Sequence, residues 1–317
     1  MTGPQDHLAE QGRIPDQARP YPADNPHDSQ VRPDDLQARL ERLPPNHPSS
    51  PYRDDGSRKP SPPDLAKYEL PLPSESDAPA DTELADQART TPDGSWEWKG
   101  HKLPPDRTLV ADKAIARCRE KEGRDADGNY GDHGLTPAMR HIEAQLEHGH
   151  LIGDAEKFAL KDPDRFKEKF ARLIERYPGA DPSELAASIA DGIRYTLIFD
   201  FDHYTAGVES GHAQLTGAGY ERIETKPSWD SDQYKGVNSQ WREPSDGVMF
   251  EVQFHTEESW EAKQKTHAAY EKIQKPGTSV EEVERLRDYQ RWISAQVSIP
   301  PDALDIEPYK KEGQVRA

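Results

Sequence analysis

Glu251, Gln253 and His255 alternate with Phe250, Val252 and Phe254 in the stretch VMFEVQFHT, residues 248–256. A period of two marks a strand with one face to bury and one face left over for chemistry. A solvated strand face usually carries Thr, Lys, Ser or Arg. Here a carboxylate, an amide and an imidazole stand in a row, groups that can ligate a divalent ion or orient a reacting hydroxyl. An ordinary amphipathic edge strand shows the same alternation, so this run alone leaves both readings open. Two further groups bear on the choice. Lys161 stands just before a helix that carries Arg165 and Lys169, and in DGIRYT, Asp191 and Arg194 sit at the mouth of another strand. Phosphate needs fixed cations and a metal needs carboxylates, so these groups do chemistry only if the fold brings them to one sheet edge.

The elements that must position them are legible in part. LVADKAIARCREKEG reads as a helix, and Cys118 within it as a small buried residue rather than a nucleophile. GLTPAMRHIEAQLEHG predicts a helix capped by Thr136 and opened by Pro137. Asp162 and Pro163 start a helix whose buried stripe is Phe166, Phe170, Leu173, Ile174 and Tyr177, with Arg165, Lys169, Arg172 and Arg176 on a neighbouring face. Asp181 and Pro182 start another. RYTLIFDF is a strand, and HYTAGVESGHAQLTGAG a helix closed by Gly219. The strands YERIETK, GVNSQWRE and VMFEVQFHT follow, then the helices ESWEAKQKTHAAYEKI and SVEEVERLRDYQRWISAQV. WEWKGHKL reads as a short strand or packed arm, and SIPPDALDIEPY as extended chain. The expected fold is α+β, a mixed sheet of about four to five strands flanked by helices.

Composition bounds the rest. Of 317 residues, 32% are hydrophobic and 32% charged, with net charge −18 and mean hydropathy −1.04. Residues 1–94 hold 17 of the 29 prolines and no Phe, Trp or Cys. Such a segment has little apolar surface to offset chain entropy, so it reads as a disordered, Pro-rich acidic arm, either a partner-binding segment or a plain linker. The domain is expected over 95–310, with 311–317 as a tail. A single cysteine excludes an intramolecular disulfide and a cysteine-rich zinc site. No apolar run approaches a membrane span, and the N-terminus lacks the basic and apolar regions of a secretory signal. Location is therefore expected in the cytoplasm, or outside the cell without a conventional signal peptide. The acidic balance argues against DNA as a partner but not against an anionic small substrate on a local basic cluster.

Over residues 160–273 the order of elements and several motifs resemble the synthetase domain of the RelA/SpoT-type alarmone synthetases, a nucleotidyltransferase-like fold. That family transfers pyrophosphate from ATP to the 3′-hydroxyl of a guanine nucleotide. Its R-x-K-x-x-x-S-x-x-x-K helix is similar to ALKDPDRFKEK, which keeps Lys161 and Lys169 but has Ala159 for the Arg and Arg165 for the Ser. Its D-x-x-G-x-R matches at Gly192 and Arg194, with Ile189 at the Asp position and Asp191 two residues on. Its K…G-Y-R-S-L-H aligns Lys226, Tyr234, Lys235 and Asn238, the last in place of His. Its V-E-I-Q-I-R-T matches FEVQFHT, with His255 for Arg, and its E-H-x-x-x-Y-K resembles THAAYEK at His267.

The resemblance implies ATP bound by Lys161, Arg165 and Lys169, and Mg²⁺ held by Asp191 and Glu251. Glu251, Gln253, Asp191 and Arg194 would do catalysis, with the acceptor at Lys226, Tyr234, Lys235, Asn238, His255 and His267. The acceptor would be a nucleotide or an RNA end. The departures are those of a toxin-like branch, which implies an antitoxin or immunity protein as partner. The alternative is a degenerate module that binds a nucleotide or a protein without turnover. Each residue also has a plainer role: a solvated basic face, a loop Asp191, a packed Tyr234, a His267 at the core edge.

Overall fold

A computed structural model of the chain describes residues 87–125, 129–153, 155–275 and 277–311. The first 86 residues, which make up most of the expected arm, and 312–317 of the expected tail lie outside them. The described part opens on a three-stranded antiparallel sheet, β1 (Arg89–Thr90), β2 (Trp96–Trp98) and β3 (His101–Leu103). Its first strand falls inside the segment that composition assigns to the arm. Helices α1 (Pro105–Glu122) and α2 (Leu135–Glu143) follow, then β4 (Gly149–Leu151), the short α3 (Ala155–Phe158), α4 (Pro163–Arg176) and α5 (Pro182–Ala187). Next come β5 (Arg194–Phe199), α6 (Tyr204–Gly217), β6 (Glu221–Pro227), β7 (Val237–Arg242) and β8 (Met249–His255). The chain ends with α7 (Glu257–Gln274), α8 (Val280–Ser294) and β9 (Tyr309–Lys310).

The main sheet has six strands in the order β4-β5-β8-β7-β6-β9. The β5–β8 pair is parallel and the others are antiparallel. The sheet is mixed and flanked by helices, as expected. It gains β4 and β9 at its edges, strands of three and two residues that are too short to show a period.

Strand parity sorts the sheet into two faces. Tyr195, Leu197, Phe199, Phe250, Val252 and Phe254 are buried in one core. Helix α6 lies close on that side: a Cβ at Gly207 would come within 2.2 Å of the Phe199 ring, and one at Gly211 within 2.7 Å of Phe254. A second core joins β2 and β3 to α1 and α4 through Trp96, Leu103, Phe166 and Phe170. The Trp96 indole donates to Asp164 at 2.8 Å.

Local signals hold at the starts of α4 and α5. Asp162 accepts from the N–H groups of Asp164 and Arg165, and Asp181 from those of Ser183 and Glu184, each followed by Pro at the first helical position. Gly219 takes a left-handed φ of 93° just after α6. Thr136 is a correction: α2 starts at Leu135 after Gly134 and has no side-chain cap. The Thr136 hydroxyl instead turns inward, 2.7 Å from the Tyr195 hydroxyl and 3.1 Å from Glu122. Cys118 is partly buried, and burial pushes its thiol up to about 11, so it is not a thiolate at neutral pH.

Candidate active site

Backbone pairing explains why the first basic residue meets the loop before β5. Leu160 and Ile193 form an antiparallel bridge. The Arg194 N–H donates to Ala159 O at 2.8 Å, and the Lys161 N–H to Gly192 O at 3.1 Å. Lys161 is thereby held beside Asp191, and α4 supplies Lys169 from its second turn. Lys161 Nζ is 2.9 Å from one carboxylate oxygen of Asp191, and Lys169 Nζ is 2.7 Å from the other. Burial pushes the Asp191 carboxyl up, but the two ammonium groups outweigh it and hold the acid well below the usual carboxylate range. Arg165 does not join this cluster. Its guanidinium pairs with Glu271 of α7 and lies over the Trp98 ring, 4.9 Å from the centroid.

The register of the sheet places the remaining groups in rows. Arg194 on β5, Glu251 on β8 and Gln240 on β7 stand side by side. One row on are Thr196, Gln253, Asn238 and Lys226. Period two puts both rows on the face opposite the aromatic core. Glu251 is tied to the Asp191 segment through its backbone, its N–H donating to Ile193 O at 2.9 Å. Its Oε1 accepts from the Gln253 amide at 2.7 Å, and Gln253 Oε1 accepts from Lys263 of α7 at 2.6 Å. Lys263, which also lies over Trp260, joins the Glu251–Gln253 pair although motif reading does not name it. Its sequence signal is a cation two turns into the helix that directly follows β8.

Below these rows lies a hydrogen-bonded chain. The Tyr234 hydroxyl donates to Asn238 Oδ1 at 2.8 Å and sits 2.9 Å from His255 Nε2. His255 Nδ1 is 2.8 Å from Ser259 Oγ. Ser259 is fixed by a capping box with Thr256 at the start of α7. Burial pushes the His255 imidazole far below its ordinary value, with Lys263 and Arg194 adding to the effect, so the ring is neutral. Burial raises the Tyr234 phenol, and Glu251 raises it further. Lys235 donates to Trp229 O at 2.7 Å, and a narrow crevice is lined by Tyr234, Lys235, Ser259 and Lys263.

Three predicted residues stand apart from these clusters. Lys226 keeps its place in the second row, but its exposed ammonium turns to Glu224 at 2.7 Å. His267 is exposed on α7. Arg165 is engaged by Glu271, as above.

The donor set can be asked what ion it suits. Asp191 and Glu251 offer carboxylate oxygens only, which fit a hard cation such as Mg²⁺. Glu251 Oε2 takes no hydrogen bond from the described residues, whereas both Asp191 oxygens already carry a lysine. Among the described residues no helix is long and apolar enough to cross a membrane.

Solved structures of alarmone synthetases are among the structural neighbours of this chain. A GTP pyrophosphokinase family protein from Streptococcus pneumoniae is 14% identical, over 60% of this chain and 85% of that one, with a TM-score of 0.34. Small alarmone synthetase 1 from Bacillus subtilis, bound to its product pppGpp, is 13% identical over 59% and 88%, with a TM-score of 0.33. The type VI effector Tas1, in complex with its immunity protein, is 20% identical over 61% and 97%, with a TM-score of 0.36. No protein-family model matches the sequence, and no curated protein does.

Proposed function

We propose that the domain transfers pyrophosphate from ATP to a hydroxyl of a nucleotide or RNA end. The observation that carries this reading is the two-lysine clamp on Asp191, joined by backbone pairing to the Glu251–Gln253 face of β8. Cations for a polyphosphate thus lie beside one carboxylate ahead of β5, and the strand that carries the second is paired to the same segment. Transfer of a phosphoryl group needs positioning and charge neutralisation rather than a covalent nucleophile. None of the residues gathered here is an activated nucleophile. Lys161 and Lys169 bind the donor phosphates, which compete with Asp191 for the same ammonium groups. Arg194, next to Glu251 in the sheet, faces the developing charge. Asp191, once released by the lysines, and Glu251 would hold a Mg²⁺ ion, which would supply neutralisation of the transferred phosphates. Gln253, pinned by Lys263, orients Glu251, and Tyr234 with Asn238 and Lys235 borders the acceptor. The motif departures are those of a toxin-like branch, so an immunity protein is the partner this reading implies.

One observation favours a second reading, nucleotide binding without turnover: both Asp191 oxygens are neutralised by protein cations before any ligand arrives. The test of both is incubation of the full chain with ATP labelled in its β and γ phosphates, Mg²⁺ and a panel of nucleotides and tRNA. Movement of label to an acceptor supports transfer. Saturable ATP binding without transfer supports the second reading, and absence of binding removes both.

A further inference from the structure

Three side chains that the proposed reaction does not use converge at the far end of β5. His148 precedes β4, Asp200 follows β5, and His203 stands immediately before α6. Each offers a ligand atom, and these atoms all lie within 4.8 Å of one another. Among the described residues no other group of three or more His, Cys, Asp or Glu meets that condition. The three backbones are laced together: the Asp200 N–H donates to His148 O at 3.0 Å, and the His203 N–H to Asp200 O at 3.0 Å. His148 holds a left-handed φ of 56°. The two imidazoles lie face to face, with centroids 3.7 Å apart and planes 8° apart, and His148 Nδ1 is 3.2 Å from Asp200 Oδ2.

We infer that His148, Asp200 and His203 form a binding site for a divalent transition-metal ion of the zinc class. Core packing does not account for the cluster, because all three residues are exposed. Paired imidazoles are borderline donors suited to zinc, copper or nickel, whereas magnesium and calcium prefer oxygen. The site is therefore chemically distinct from the all-carboxylate pair Asp191 and Glu251. It is also remote in space: Asp200 is six residue steps along the strand direction from Arg194, about 20 Å at about 3.3 Å per residue. Around a tetrahedral ion with ligands at about 2.0–2.1 Å, neighbouring ligand atoms lie about 3.4 Å apart. Rotation of exposed side chains closes that gap from the separations seen here. The ligands come from three points of the fold, so a bound ion would staple the three-residue edge strand β4 and the start of α6 to the end of β5.

Zinc titration of the full chain in chelator-stripped buffer, read by calorimetry and by thermal unfolding, tests this. The chain has 12 histidines, among them His7, His27 and His47, so weak binding elsewhere is expected and the comparison between variants is decisive. Wild type should show one stoichiometric zinc site and a zinc-dependent rise in melting temperature, both of which persist in excess Mg²⁺. His148→Ala and His203→Ala should each weaken that site by at least about tenfold and lose the thermal shift. Without zinc both variants should melt as wild type does. If either melts lower, Asp200→Asn, which keeps shape and removes charge, is used in its place. Absence of a stoichiometric site in wild type, or equal zinc affinity in wild type and these variants, would overturn the inference.

Discussion

Glu251 is the residue on which the proposed chemistry turns, and its surroundings allow a clean test. Glu251→Gln keeps the shape and an oxygen but removes the charge a hard cation needs. Transfer should fall by at least about 10²-fold, with thermal stability almost unchanged because its one carboxylate hydrogen bond is from Gln253. Full activity in this variant would sink the role assigned to Glu251. Lys169→Ala should weaken ATP binding while the fold is retained, because Asp191 keeps Lys161 as a partner. Unchanged ATP affinity would leave the cluster a structural ion pair.

A third test at this scale uses pH. Burial holds His255 far below its ordinary value and His212 at about 4. Both bind protons more readily in the unfolded chain, so their contribution to stability is complete above about pH 6.5 and is lost as pH falls toward the folded values. The slope is at most about 1.4 kcal/mol per pH unit per histidine. Urea midpoints should fall between pH 7.5 and pH 5, and His255→Gln should flatten that fall. Midpoints independent of pH would refute it. The Glu251–Gln253–His255 face is readable in the sequence because its period is local. The turning of Arg165 to Glu271 is not, because the partner stands more than a hundred residues away and no local pattern names it.

Elements that announce themselves by caps or by period are legible for the same physical reason: the signal lies within the element. Asp162–Pro163 and Asp181–Pro182 mark α4 and α5, alternation in the sequence marks β8, and aromatic and β-branched residues mark β5. The edge strands β4 and β9 exist only through pairing, so their three and two residues carry no signal of their own. Thr136 misleads because a hydroxyl that can cap a helix can equally bond a buried phenol, and here Tyr195 takes it. The close seating of α6 is likewise invisible until Phe199 is known to lie against Gly207. It makes a prediction: Gly207→Ala forces a methyl to within 2.2 Å of the Phe199 ring on a fully packed face. Overpacking of this kind costs about 1–3 kcal/mol, although alanine favours the helix itself. A chemical denaturation midpoint equal to or above wild type would show that Phe199 has room to move.

At the scale of the whole molecule, the question is where the folded unit starts. Composition places the boundary at Ser95, but the turn ahead of it is built. The Thr91 hydroxyl donates to Asp93 at 2.6 Å, and Asp93 accepts from both the N–H and the hydroxyl of Ser95. The Thr91 hydrogen bond leads the effects that bring the Asp93 carboxyl down to about 2. Arg89 and Thr90 pair with Glu97 and Trp96, covering an edge of the strand whose Trp96 is 1% exposed. A chain beginning at residue 87 keeps all of this and should unfold in one cooperative transition at the wild-type temperature, because residues 1–86 contain no Phe, Trp, Ile-rich run or other apolar cluster to bury. A chain beginning at Ser95 loses the turn and places a charged amino group on a residue that is itself 1% exposed. Burying a charge without a partner is unfavourable, so this chain should melt several degrees lower. Equal melting temperatures for the two truncations would show that the β1 turn contributes nothing, and a large loss in the longer one would show that residues 1–86 hold the domain together.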